Sequence, residues 1–142
     1  MSGTPLGPAV LASRTGVRLE VSAARHPHEQ LPCWRVRLTG AGLDAVLDCP
    51  ESPWQAQSLA EFFASLDHDW RGWTGARSWT SDDGELQVTA RHDKPNTVLL
   101  DVLLAGGAPP RWSCAAELEV DPGVFRSVAA SLVALGTSSP GP

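Results

Sequence analysis

Three groupings in the chain have the residue types for chemistry. His92-Asp93 sets a histidine beside a carboxylate, and His68 stands between Asp67 and Asp69. A carboxylate that orients an imidazole makes it a general acid or base. No serine or cysteine with a recognisable nucleophile motif lies near either histidine in sequence, so no residue is assigned as catalytic. His26-x-His28 with Cys33 has the donor atoms for three zinc bonds. The spacing matches no zinc pattern, C-x-x-C is missing and Pro27 separates the histidines, so no metal or other cofactor is assigned. Gly40-x-Gly42 and Gly106-Gly107 lack the strand-to-helix setting that cradles phosphate and read as turns. Asp82-Asp83 reads as a solvated hairpin tip, where nothing would shift a carboxyl group into a catalytic range.

The most distinctive stretch is Asp67-His68-Asp69-Trp70-Arg71-Gly72-Trp73. Tryptophan and arginine carry much of the energy at protein interfaces. Trp73 falls off the helical stripe that precedes it. Trp73 and Arg71 are therefore the candidate anchors for a partner, with His68, His92 and Asp93 beside them. Trp70 and Trp79 are expected to fill core space, with Arg71 stacked on an indole or paired with Asp69.

These residues need elements to hold them. Leu59, Phe62, Phe63, Leu66 and Trp70 recur at helical spacing. Ser52 as cap, Pro53 in the first turn, Gln55 as capping-box partner and Gly72 as stop predict a helix from about Pro53 to about Trp70. A second helix opens at Asp121-Pro122, carries Phe125, Val128, Ala129, Leu132 and Leu135 on one face, and ends at Gly136. Alternation predicts strands at 17–23, 34–38, 43–48, 77–81, 85–91, 97–104 and 112–120. The 97–104 strand is apolar on both faces and so expected to be central or covered twice. No repeat of solenoid period is visible. The connections are too short for parallel crossovers. The expected fold is α+β: an antiparallel sheet of about six or seven strands with two helices on one face, in the order βββαββββα. Residues 1–16 read as a flexible segment, 17–135 as one domain and 136–142 as a flexible tail.

The 142 residues suit a single core, and 42% hydrophobic against 19% charged content describes a globular chain. A net charge of −5 opposes binding to nucleic acid, which needs a basic face. Lys94 is the one lysine beside ten arginines, so no polybasic membrane patch exists. No apolar run approaches a membrane span, and Ala9 to Ala12 is too short for a signal sequence. Cys33, Cys49 and Cys114, odd in number and widely spaced, favour reduced thiols and a cytoplasmic location.

The Asp69-Trp70-Arg71-Gly72-Trp73 turn after a Phe-Phe helix resembles a small bacterial, chiefly actinobacterial, family of unknown function. So do Gly75-x-Arg77-x-Trp79, the strand ending at His92-Asp93, and the Trp112 strand that leads into a C-terminal helix. The likeness spans roughly Val17 to Leu135 and implies no activity, cofactor or catalytic residue. The expected function is a non-enzymatic module that binds another protein. An immunity-type inhibitor that uses its acidity to meet a toxin is the specific version. A small-ligand carrier, or a small enzyme using His92 and Asp93, is the alternative. A homodimer through a sheet edge or face is compatible with the chain.

Overall fold

The structure, a computed structural model, describes residues 7–24, 33–51, 55–106 and 111–137. Eight strands and two helices follow one another: β1 (Ala9–Ala12), β2 (Arg18–Ala24), β3 (Cys33–Gly40), β4 (Leu43–Pro50), α1 (Leu59–His68), β5 (Ala76–Thr80), β6 (Leu86–Lys94), β7 (Thr97–Gly106), β8 (Trp112–Val120) and α2 (Val124–Thr137). The fold is α+β and every strand pair is antiparallel.

One sheet of six or seven strands was expected, and this is corrected to two sheets of four, in the orders β1-β2-β3-β4 and β5-β6-β7-β8. The break has a local cause. The chain leaves β4 into a helix instead of a hairpin, so β5 starts a new ladder. β1, inside the stretch read as a flexible leader, alternates buried Ala9 and Leu11 with more exposed neighbours. The sheets meet where the β1–β2 turn reaches β8. The Arg14 amide donates to the Glu119 carbonyl at 3.0 Å, and Ser13 Oγ accepts from the Glu119 amide at 2.9 Å. Arg14 adds side-chain bonds to Thr97 Oγ1 at 3.0 Å and to the Asn96 carbonyl at 2.9 Å.

The order is therefore ββββα twice. The turns confirm that the halves are built alike. In Ser13-x-x-Gly16 and Ser81-x-x-Gly84 the glycine amide donates to the serine carbonyl, at 3.1 and 2.9 Å. Both serines are buried, and both glycines have positive φ (98° and 76°), which favours residues without Cβ. This repeat is not visible as sequence similarity.

α1 starts later than expected. Its box is Ser58 with Glu61: Ser58 Oγ accepts from the Glu61 amide at 3.0 Å and Glu61 Oε1 from the Ser58 amide at 2.9 Å. Backbone and hydroxyl donors together hold the Glu61 carboxyl below its ordinary range. Ser52 and Pro53 lie outside the described residues, and Gln55 bonds the Thr80 carbonyl instead of capping. Leu59, Phe62, Phe63 and Leu66 are buried as their spacing predicts. All five residues of the α2 stripe are buried too, and Phe63 stacks on Phe125 at 6.0 Å. A buried aromatic or leucine contributes about 1.5–3 kcal/mol, which outweighs helix propensity and fixes both helices on the core. One core joins the inward faces of both sheets to both helices.

Each helix is tied to the other half. α2 lies on β1 and β2. α1 is held at both ends by β5: Trp79 Nε1 donates to the Gln57 carbonyl at 2.8 Å, and Arg77 bonds Asp69. Glu51 ties α1 to the first sheet, accepting from Trp34 Nε1 at 2.7 Å and from the Leu59 amide at 3.0 Å.

Candidate functional site

The turn after α1 is a wound backbone held from below. Helical spacing fails after His68, where the Asp69 amide bonds Ser65, Trp70 bonds Asp67 and Gly72 bonds Asp69 through their carbonyls. Gly72 has φ of +140°, where a side chain would be strained, and Gly75 has +76°. The chain therefore doubles back, and Trp73 returns to the core while Trp70 does not.

Trp73 is pinned on three sides. Its Nε1 donates to the Ala90 carbonyl at 3.3 Å. The Arg77 guanidinium sits 5.1 Å above its ring, and His92 meets it edge-on at 5.2 Å. Arg77 Nη1 also donates to Asp69 Oδ2 at 2.6 Å, so one arginine fixes both ends of the turn. His92 Nε2 donates to the Trp70 carbonyl at 3.2 Å. The expectation for the tryptophans is corrected at one position: Trp70, expected in the core, is 51% exposed, while Trp73, the candidate anchor, is half-buried. The reason is that α1 ends at His68, two residues before the stripe would carry Trp70 inward. Trp79 is buried as expected. Arg71 is exposed and lies 5.3 Å over the Trp70 ring.

Beside Trp70 lies an open cleft of about 360 Å³. Asp67 and Trp70 form its α1 wall, Asn96 comes from the β6–β7 turn, and Asp121, Gly123 and Arg126 come from the start of α2. Its ion pairs are loose: Arg126 stands 3.7 Å from Asp67 and is 86% exposed, and Arg14 stands 3.9 Å from Asp121. Asp121 Oδ1 accepts from the Gly123 amide at 2.8 Å, which closes the start of α2. These residues come from three places far apart in sequence. No local pattern could have marked Asn96 or Arg126.

His68 is exposed in the last turn of α1, and His92 bonds the carbonyl of Trp70 two residues further on. Asp93 is exposed where the β6–β7 register shifts, and His92 bonds a carbonyl instead of a carboxylate. His26 and His28 lie outside the described residues. Among the described residues no group of three or more His, Cys, Asp or Glu is placed to hold a metal ion. The three cysteines form no disulfide. Burial pushes the Cys49 thiol up to about 11 and raises Cys114 as well, so both stay protonated and poorly nucleophilic at neutral pH. Asp82 and Asp83 are exposed in the hairpin turn as expected. Burial, then the nearby Asp83, raises the Glu85 carboxyl. No helix among the described residues is long and apolar enough to cross a membrane.

The chain belongs to a family of unknown function (DUF6228), whose profile matches residues 10–138. No curated protein matches it.

Proposed function

We propose that this domain is a cytoplasmic, non-enzymatic module that binds another protein through Trp70 and Arg71. The observation that carries this reading is the contrast within one turn: Trp73 is locked by Ala90, Arg77 and His92, while Trp70 is 51% exposed. An exposed indole on a fixed backbone loses little freedom on binding, and an arginine beside it completes a typical hot spot. The cleft next to it is open, which suits one side chain of a partner better than a free metabolite, whose sites bury most of the ligand. The net charge of −5 favours a basic partner and would speed encounter with it. An immunity-type inhibitor of a basic toxin is the narrower form.

The test is affinity capture with the tagged chain, Trp70→Ala, Arg71→Ala and Val46→Ala, the last an exposed position on β4. The expected result is a partner held by wild type and Val46→Ala. Trp70→Ala should weaken it by about 30-fold, the equivalent of a hot spot of about 2 kcal/mol. A partner that binds Trp70→Ala and Arg71→Ala as tightly as wild type would show that this turn is not the contact.

A further inference from the structure

The repeated ββββα halves provide an internal comparison, because equivalent strands have opposite outward surfaces. On the first sheet each outward arginine is used by the chain itself. Arg18 meets Glu20 at 2.8 Å, Arg35 meets Asp48 at 2.9 Å, and Arg37 meets Asp44 at 2.8 Å. The last two pairs are bidentate, with second bonds of 3.2 and 3.0 Å. That surface is closed by its own charges.

The second sheet is not closed in this way. The outward residues of its third strand, β7, are Leu99, Asp101 and Leu103, where β3 has Arg35, Arg37 and Thr39. The register sets Thr80, Gln87, Leu103 and Ala115 in one row across all four strands, without a charge. Leu99 and Leu103 face away from the helices and belong to neither the core nor its fringe. Arg91, the outward arginine of this sheet among the described residues, stands 3.8 Å from Asp101 and 3.7 Å from Glu117. Both distances are too long for hydrogen bonds, and one cation is left between two carboxylates.

We propose that this face of the second sheet joins two copies of the chain about a twofold axis. An isologous contact requires a surface that complements itself. With the axis along β7, rows meet rows and β6 faces the partner's β8. The register then sets Leu99 and Leu103 against their own copies and Gln87 against the second copy's Ala115. Arg91 comes opposite the second copy's Glu119, beside Glu117. The guanidinium that is only loosely paired within one chain gains carboxylates across the contact, and sheets stacked about 10 Å apart let the leucines interdigitate. Asp101 meets its own copy on the axis and opposes the association.

Sedimentation equilibrium on the full chain over a micromolar range tests this contact. The expected mass at high concentration is twice 15.1 kDa. Ala115→Arg and Arg91→Glu should each weaken the dimer at least tenfold, Asp101→Asn should tighten it, and Val46→Arg on the first sheet should leave it unchanged. Ala115 is exposed, so its substitution does not threaten folding, and far-UV circular dichroism verifies this. A mass of 15.1 kDa at every concentration overturns the proposal. So does a dimer that survives Ala115→Arg, or one that Val46→Arg dissociates.

Discussion

Removing Arg77 should loosen the turn that presents Trp70, and the size of the effect follows from its contacts. The Arg77–Asp69 bond is short, 2.6 Å, but the two side chains are 35% and 38% exposed. A charge-assisted bond contributes about 1.5–3 kcal/mol when buried, and an exposed ion pair contributes about 0.2–1. At this exposure the pair is worth about 1 kcal/mol. The guanidinium over Trp73, at 5.1 Å, adds about 0.5–1 kcal/mol. Arg77→Ala should therefore cost about 1.5–2 kcal/mol, which for a chain of this size lowers the urea midpoint by about 1 M. Asp69→Asn should cost less, because it leaves the stack on Trp73 in place. In a double-mutant cycle the two losses should fall short of additivity by about 1 kcal/mol. Amide exchange at Gly72 and Trp73 should speed up in both variants while the α2 amides stay protected. If the losses add to within about 0.3 kcal/mol, the pair does not hold the turn and Trp70 has no rigid base.

Two further effects concern other parts of the fold. Gly106→Ala places a Cβ 2.7 Å from Trp112 Nε1, so the indole, 38% exposed, should swing outward. Overpacking should outweigh the usual gain from replacing a strand glycine, lowering the melting temperature by about 3 °C, and a rise would refute the close approach. The Cys49 thiol has its folded pKa raised, to about 11 against 9.0 for a free thiol. Its contribution is therefore intact below pH 9 and is lost as pH climbs towards 11, by at most about 3 kcal/mol. Urea titrations at neutral and alkaline pH should show that loss in wild type and not in Cys49→Ala; equal losses in both would assign the alkaline weakening to other groups.

The legible parts of the fold were those where local pattern and global packing agree. Both helix stripes and seven of the strands follow from periodicity, because each buries a single face in one core. The boundaries of α1 were less clear. Ser52-x-x-Gln55 and Ser58-x-x-Glu61 both spell a capping box; Gln55 bonds the Thr80 carbonyl instead, and the second box forms beside the bonds of Glu51 to Leu59 and of Trp79 to Gln57. The strand count within a sheet was illegible for another reason. Hairpin lengths report which strands pair locally, and nothing local reports that β5 refuses β4 or that Ser13 and Arg14 reach β8. The strand expected to be central or covered twice is central: β7 lies between β6 and β8, and Leu99 and Leu103 are half-exposed on its outward face. Trp70 lies outside the core because its spacing runs on past the end of α1 at His68.

The repeat also bears on where function can reside. The two halves share an element order and the Ser-x-x-Gly turn between their first two strands, so features confined to one half are not dictated by that shared plan. The cluster sets Trp73, from the turn before β5, against Arg77 and His92 on strands of the second half, and the uncharged row through Leu103 lies on the sheet of that half. The proposed dimer surface therefore lies where the second half departs from the first, on the outward side of its sheet, while the anchor stands in the turn between the halves, at the end of α1 beside the start of α2. A chain joined to its copy through the row would keep both Trp70 turns free, so it could engage two partners at once, and its avidity would depend on the dimer contact.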